Sequence, residues 1–267
     1  MPNSKNLDNS RLLQFVGGLA VFIVLVAVWQ IIVWRFDVPR AIVPSPGEVL
    51  SAGLKEKKTL AIGLGMTAAV ASVALLSSIA IGVLIAMLFS LSRLLRATFY
   101  PYVIFLQTVP IVAIAPLLVT WFGYGFKTIV MVAVIISLFP IISNVTAGLI
   151  SVDANLVELF RLNGATRWQT MWRLRIPYAV RSLILGARIS AGLAVIGAIV
   201  GEFFVGDAST SSAGLGTIIA GWQRMLRTDA MIAAIITSTI LGLVVLGAVN
   251  LFSRLFLRRW TDGQFEN

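Results

Sequence analysis

The stretch VELFRLNGATRWQTMWRLRIP, residues 157–177, lies between two long apolar runs and carries Arg161, Arg167, Arg173 and Arg175. Asn163-Gly164 in its middle is a turn signal, because both residues tolerate φ > 0. On either side the spacing predicts a short helix, over 158–162 and over 166–174. Trp168, Met171 and Trp172 recur at i, i+3 and i+4 and give the second helix an apolar face, with Arg167 and Arg173 at its sides. Pro177 suits the first turn of the next helix, where a missing N–H costs nothing. The segment therefore reads as a charged helix-turn-helix lying along a membrane surface. Two roles fit it: an amphipathic anchor in lipid headgroups, or a docking helix for a cytoplasmic partner.

The flanking sequence explains why lipid is the reference. Of 267 residues, 58% are hydrophobic and only 12% charged, far from the soluble average of about a quarter charged. The chain reads as an all-α integral membrane protein. It has no cysteine and no histidine, which removes disulfides, thiol nucleophiles, imidazole bases and the usual zinc ligands. The net charge of +10 falls in short loops between apolar spans. That placement points to anionic headgroups and membrane orientation, not to nucleic acid.

Six spans are expected. Residues 12–34 are uncharged and long enough to cross the hydrocarbon core as an uncleaved anchor. Residues 59–92 are too many for one straight span, so TLAIGLG (59–65) is expected as an interfacial lead-in and about 65–90 as the crossing. Residues 97–126 hold Pro101, Pro110 and Pro116, so the third span should be bent or broken. The others run over about 128–150, 178–202 and 230–252. With both termini inside, the inner segments hold Lys5, Arg11, Arg93, Arg96, Arg161, Arg167, Arg173, Arg175, Arg181, Arg254, Arg258 and Arg259. The outer ones hold fewer basic residues: Arg35, Arg40, Lys55, Lys57, Lys58, Lys127, Arg224 and Arg227. This lysine and arginine bias puts 157–177 and both termini in the cytoplasm. The chain divides into an N-terminal tail, anchor and outer segment (1–58), a five-span core (59–255) with the cytoplasmic loop 151–181, and a basic tail (256–267).

Polar groups inside the spans are candidates for a transport path. Gln107, near Pro110, either lines such a path or bonds a neighbouring helix. Asn144 can bond across helices. Arg188 either lines the path or snorkels to the cytoplasmic surface. Glu202 lies fourteen positions beyond Arg188 on about the same helix face, too far along the axis to pair with it. It is expected to cap the outer end, to pair with Arg224 or Arg227, or to meet solute. Gly197 with Gly201, and Gly186 with Ser190, form small-xxx-small pairs that let another helix approach. GYGFKT, 123–128, is not a phosphate loop: Phe126 precedes the lysine, the first-glycine spacing is wrong and no strand comes before it.

Glu158, Gly164 six positions on, nine residues, and then Leu174-Arg175-Ile176-Pro177 resemble the cytoplasmic loop signature of binding-protein-dependent ABC importer permeases, E-A-A, three residues, G, nine residues, I-x-L-P. Leu159-Phe160 replace Ala-Ala, and the two aliphatics are exchanged in identity. VPSPGEVL (43–50), QTVPIVAIAPLLVTWFGYG (107–125), GEFF (201–204) and SAGLGTII (212–219) are similar to the nitrate, sulfonate and taurine branch of that family.

The resemblance implies a type I, methionine-permease-like fold with six transmembrane helices in the inner membrane. It implies that 158–171 form a coupling helix docked on an ATPase. Glu158, Gly164, Ala165, Thr166, Trp168, Met171 and Pro177 would be its docking residues, with the turn at Gly164 facing the ATPase and Trp168 and Met171 supplying apolar contact. Gln107, Pro110, Asn144, Arg188 and Glu202 would be path candidates. The implied partners are a second permease copy in a homodimer, two ATP-binding subunits and an extracytoplasmic solute-binding protein. ATP and Mg would sit on the ATPase, with no cofactor or metal on this non-catalytic chain. Nitrate, sulfonates, taurine, and pyrimidine or vitamin-precursor heterocycles are the solute classes. The competing class is a self-contained channel or secondary transporter, which predicts inverted repeats and several intramembrane charges.

Overall fold

The computed structural model describes residues 4–206 and 213–261, with side chains over 16–206 and 213–255. Its helices are α1 (Ser4–Arg35), α2 (Pro46–Lys55), α3 (Lys57–Leu91), α4 (Arg93–Thr108), α5 (Ile111–Phe122), α6 (Phe126–Ile150), α7 (Ala154–Leu162), α8 (Arg167–Thr170), α9 (Ile176–Val205), α10 (Leu215–Arg224) and α11 (Thr228–Thr261). A π-helical turn, Met171–Arg175, joins α8 to α9.

Three of these helices form the core, and small residues let them meet. Gly186 and Ser190 of α9 face Pro140 and Ser137 of α6, and further along Gly197 and Gly201 face Ala133 and Ile129. Residue numbers rise on one helix as they fall on the other, so α6 and α9 are antiparallel. Ser78 of α3 meets Ser137 at 2.8 Å between hydroxyls, and Gly82 packs on Ile141. Here both numbers rise together, so α3 and α6 are parallel. Ser137 is the node: its hydroxyl also donates to Ala133 O at 2.7 Å, and its carbonyl accepts from Ser190 Oγ at 2.6 Å. With lipid outside, close backbone approach and such hydrogen bonds replace the hydrophobic effect as the packing force. A valine at 197 would place its Cβ 2.7 Å from the Ala133 Cα. Gly197→Val is expected to cost about 1–3 kcal/mol by overpacking, read as a lowered thermal midpoint in detergent.

The parallel pair settles the path of the third span. The chain leaves α3 at one end of the bundle and must re-enter α6 at the other, so α4 and α5 together make one crossing. They meet at 99°. Val109, before Pro110, is extended (φ −67°, ψ 125°), as a residue preceding proline prefers. Five long apolar helices plus this bent pair give six crossings, and the expectation of a broken third span holds. The expected lead-in, 59–65, is continuous with the crossing: α3 is one 35-residue helix from Lys57. Its first turns are held by tertiary contact, Gly63 lying against Leu215 and Ile218 of α10.

At the end where α3 starts, three segments close the bundle. Trp29 of α1 donates Nε1–H to Pro44 O at 3.1 Å, and Thr228, which opens α11, donates to Ala41 O at 2.5 Å. α11 therefore runs from this far end toward the end that carries α7 and α8, the loop end, antiparallel to α9: Gly242 lies by Val195 and Leu246 by Gly192. No side chain of Val16–Arg35 is buried. α2 starts with a capping box, Ser45 N–H to Glu48 Oε2 at 2.8 Å and Glu48 N–H to Ser45 Oγ at 3.3 Å. Chiefly the Ser45 backbone N–H holds the Glu48 carboxyl below its ordinary range, and Arg40 Nε lies 2.6 Å from it. α10 is the second short helix in the outer segments; its Leu215, Ile218 and Trp222 are buried.

Candidate functional site

The loop end presents the helix-turn-helix of 154–175. Asp153 caps α7 through Asn155 N–H at 2.8 Å. α7 stops because Gly164 takes a left-handed φ of +71°, bringing Gly164 N–H to Arg161 O and Ala165 N–H to Phe160 O, both at 3.0 Å. These bonds satisfy the last carbonyls. Asn163 Nδ2 donates to Leu159 O at 2.8 Å. Thr166 and Gln169 then form a second capping box, 2.8 and 3.2 Å, which starts α8. The turn thus has a stop and a start signal on opposite sides of one glycine, and nothing lies within 4 Å of the position a Gly164 Cβ would take.

Around this turn Glu158, Gly164, Thr166 and Trp168 are exposed, Ala165 and Pro177 half-buried. Met171 is fully buried among Ala86, Ile141, Val145, Leu149 and Ala179. Two expectations are corrected here. The second helix is no separate surface helix over 166–174: it runs through the π-helical turn into α9 as part of one span, Arg167–Val205. Consequently Met171 points into the bundle while Trp168 and Trp172 point out. It is not placed to supply apolar contact to an ATPase. Pro177 sits in the first turn of α9. Its missing N–H and ring are accommodated by the wider turn before it. Arg175 ties the loop to the end of α3, its Nη1 donating to Ser90 O at 2.9 Å and Ser90 Oγ at 2.8 Å.

The path candidates do not form one cluster. Gln107 and Pro110 are exposed beside the bend between α4 and α5. Asn144 donates to Pro140 O of its own helix at 2.8 Å, so the expected cross-helix bond is not made; its Cβ packs near Gly186. Arg188 is half-buried on α9, and its Nε has no partner among the described residues.

Glu202 lies toward the far end and is 1% exposed. Its Oε2 accepts from Thr67 Oγ1 at 2.8 Å and from Gly216 N–H at 2.9 Å, while Oε1 is buried without a partner among the described residues. Leu215 N–H donates to Thr67 Oγ1 at 2.9 Å, and Thr217 Oγ1 to Glu202 O at 3.0 Å. Gly214 and Gly216 leave no room for a Cβ beside the Glu202 side chain. The carboxylate therefore clasps α10 to α3 and α9. The expected pairing with Arg227 is corrected: Arg227 bonds Glu56 at 2.8 Å and lies over the Trp222 ring at 5.6 Å. Of the outer loop expected over 206–216, residues 207–212 lie outside the described residues.

Six crossings around a core of glycine, alanine and serine, one crossing broken at a proline, and a capped helical turn held out at one end make a polytopic integral membrane protein. Residues 78–258 match the family described as the binding-protein-dependent transport system inner membrane component, and the chain belongs to it. It is a multi-pass inner-membrane protein, the permease subunit of a binding-protein-dependent ABC importer. It is 31% identical to a formylaminopyrimidine transport permease protein of Halalkalibacterium halodurans, over 88% of this chain and 92% of that one. It is 27% identical to a putative aliphatic sulfonates transport permease protein of Bacillus subtilis, over 91% and 87% respectively. The fold is similar to that of the inward-facing MetNI methionine ABC transporter, with a TM-score of 0.63 and 20% identity over 73% of this chain and 95% of the other.

Proposed function

We propose that two copies of this chain form the membrane unit of the importer, with two ATP-binding subunits at the loop end and the solute-binding protein at the far end. The observation that carries this reading is the exposed Gly164 turn: a rigid, doubly capped helical corner at the loop end, with Glu158, Gly164 and Pro177 at the spacing of the family signature. Ala165, Thr166 and Trp168 complete the surface offered to the ATPase. The lysine and arginine bias puts this end in the cytoplasm. ATP and Mg would act on the partner, whose closure would move the turn and, through the unbroken run from Arg167 to Val205, the core helix that carries Arg188 and Glu202. Such a rigid connection is what alternating access requires. The near full-length match to a formylaminopyrimidine permease makes a small pyrimidine-type heterocycle the first solute to test and a sulfonate the second.

Purification in mild detergent from the native membrane, with mass spectrometry of what stays bound, tests the assembly. Recovery of an ATP-binding subunit is expected. Recovery of this chain alone, conducting solute in liposomes without ATP, would overturn the proposal in favour of a self-contained transporter.

A further inference from the structure

Beside the Gly164 turn lies a cleft of about 580 Å³, between the end of α3, the start of α4 and the loop, lined by Arg93, Arg161, Arg167 and Arg175 together with Ser90 and Ser92; its lining contains no Asp or Glu. The ion pairs found among the described residues, Arg40 with Glu48 and Arg227 with Glu56, lie elsewhere. None of the four guanidinium groups is neutralised within the described chain. Like charges gathered in one partly enclosed space repel more strongly than on an open surface, and here one is also held in place. Arg175 is half-buried, with Nη1 fixed by two bonds to Ser90. No described residue takes its other nitrogens.

We propose that this cleft binds a phosphate group, presented by an anionic phospholipid at the membrane surface. Several planar guanidinium forks around one space suit the multiple oxygens of a phosphate. The position suits a headgroup: Ser90, Leu91 and Arg175 lie where α3 ends and α9 begins. Trp172 is exposed nearby, as interfacial tryptophans are. Leu88 and Leu94, flanking the lining residues in sequence, are also exposed and offer acyl chains an apolar surface. The cleft borders the docking surface and shares Ala165 with it, but the argument for a phosphate does not depend on the ATPase assignment. A carboxylate of a protein partner is the competing occupant.

The test uses the full-length protein in detergent. Native mass spectrometry reads retention of phosphatidylglycerol against phosphatidylcholine, and calorimetry reads inorganic phosphate. Wild type is compared with the Arg93→Gln/Arg161→Gln double variant and with Arg224→Gln at the far end. Wild type should retain phosphatidylglycerol preferentially, and the double variant should lose about tenfold to thirtyfold in retention, at about one surface charge each; Arg224→Gln should not. Binding of inorganic phosphate by wild type and not by the double variant would also support the site and name soluble phosphate as a source. Equal handling of both ligands by wild type and double variant overturns the proposal. If the double variant melts early, Arg93→Gln and Arg161→Gln are read singly, each with a several-fold loss. ATPase co-purification, measured in the same preparations, reports on the docking surface separately. Lost co-purification with unchanged lipid and phosphate retention would assign the arginines to carboxylates of the ATPase.

Discussion

Gly164→Asp should leave the protein in the membrane and reduce ATP-driven uptake by about 10²-fold or more. The turn is open, so an added side chain meets no neighbour within this chain. The φ of +71° costs a non-glycine residue roughly 1–2 kcal/mol, less for Asp, whose side chain can bond locally. Neither effect unfolds a six-crossing bundle. What changes is the surface offered to the ATPase, where an unpaired carboxylate would be buried at a cost of about 2–5 kcal/mol. Gly164→Asn keeps the tolerance for φ > 0 without the charge and should retain most of the uptake. Membrane level, ATPase co-purification and uptake in vesicles are the readouts. Normal uptake by Gly164→Asp would mean that this turn is not the docking point.

Glu202→Ala should destabilise the protein by about 2–5 kcal/mol, whereas Glu202→Gln should cost less than about 1 kcal/mol. The carboxylate oxygen that accepts from Thr67 and Gly216 can be replaced by an amide oxygen. Alanine leaves the Gly216 N–H unpaired in a buried site and opens space where Gly214 and Gly216 now pack. Thr67 is partly insured, since its hydroxyl also reaches Gly63 O at 3.0 Å. Hydrogen exchange over 213–224 should rise in the alanine variant, because α10 loses its clasp. Uptake separates the two roles open to this residue. A Gln variant that melts like wild type and transports normally places Glu202 in the scaffold of the far end; one that melts normally and fails to transport places the charge on the solute path.

The crossings were legible because a lipid environment demands long uncharged runs, and composition alone exposes those. The break in the third span was legible from Pro110, whose chemistry acts on its immediate neighbour. Two kinds of feature were not. α2 and α10 are ten residues each, too short to register as spans, although SPGE at 45–48 carries a capping box that marks the start of α2. Met171 was misplaced for a different reason. A regular 3.6-residue period puts it beside Trp168 and Trp172, but the π-helical turn and the join to α9 direct it into the bundle.

What the sequence determined by itself is local or statistical. It comprises the apolar length of the spans, the glycine turn at 164, the proline break, the small-residue seam of α9 and the signature spacing from Glu158 to Pro177. Only the tertiary structure decided which way the helices run and which polar groups meet. The Ser78–Ser137 and Gly82–Ile141 contacts together show α3 and α6 to be parallel, and so make α4 and α5 one crossing. Glu202 joins Thr67 across 135 positions, and Arg175 joins Ser90 across 85. A buried polar group must find a partner at low dielectric, but its sequence neighbourhood does not say which partner; that depends on which helices the packing of small residues brings together.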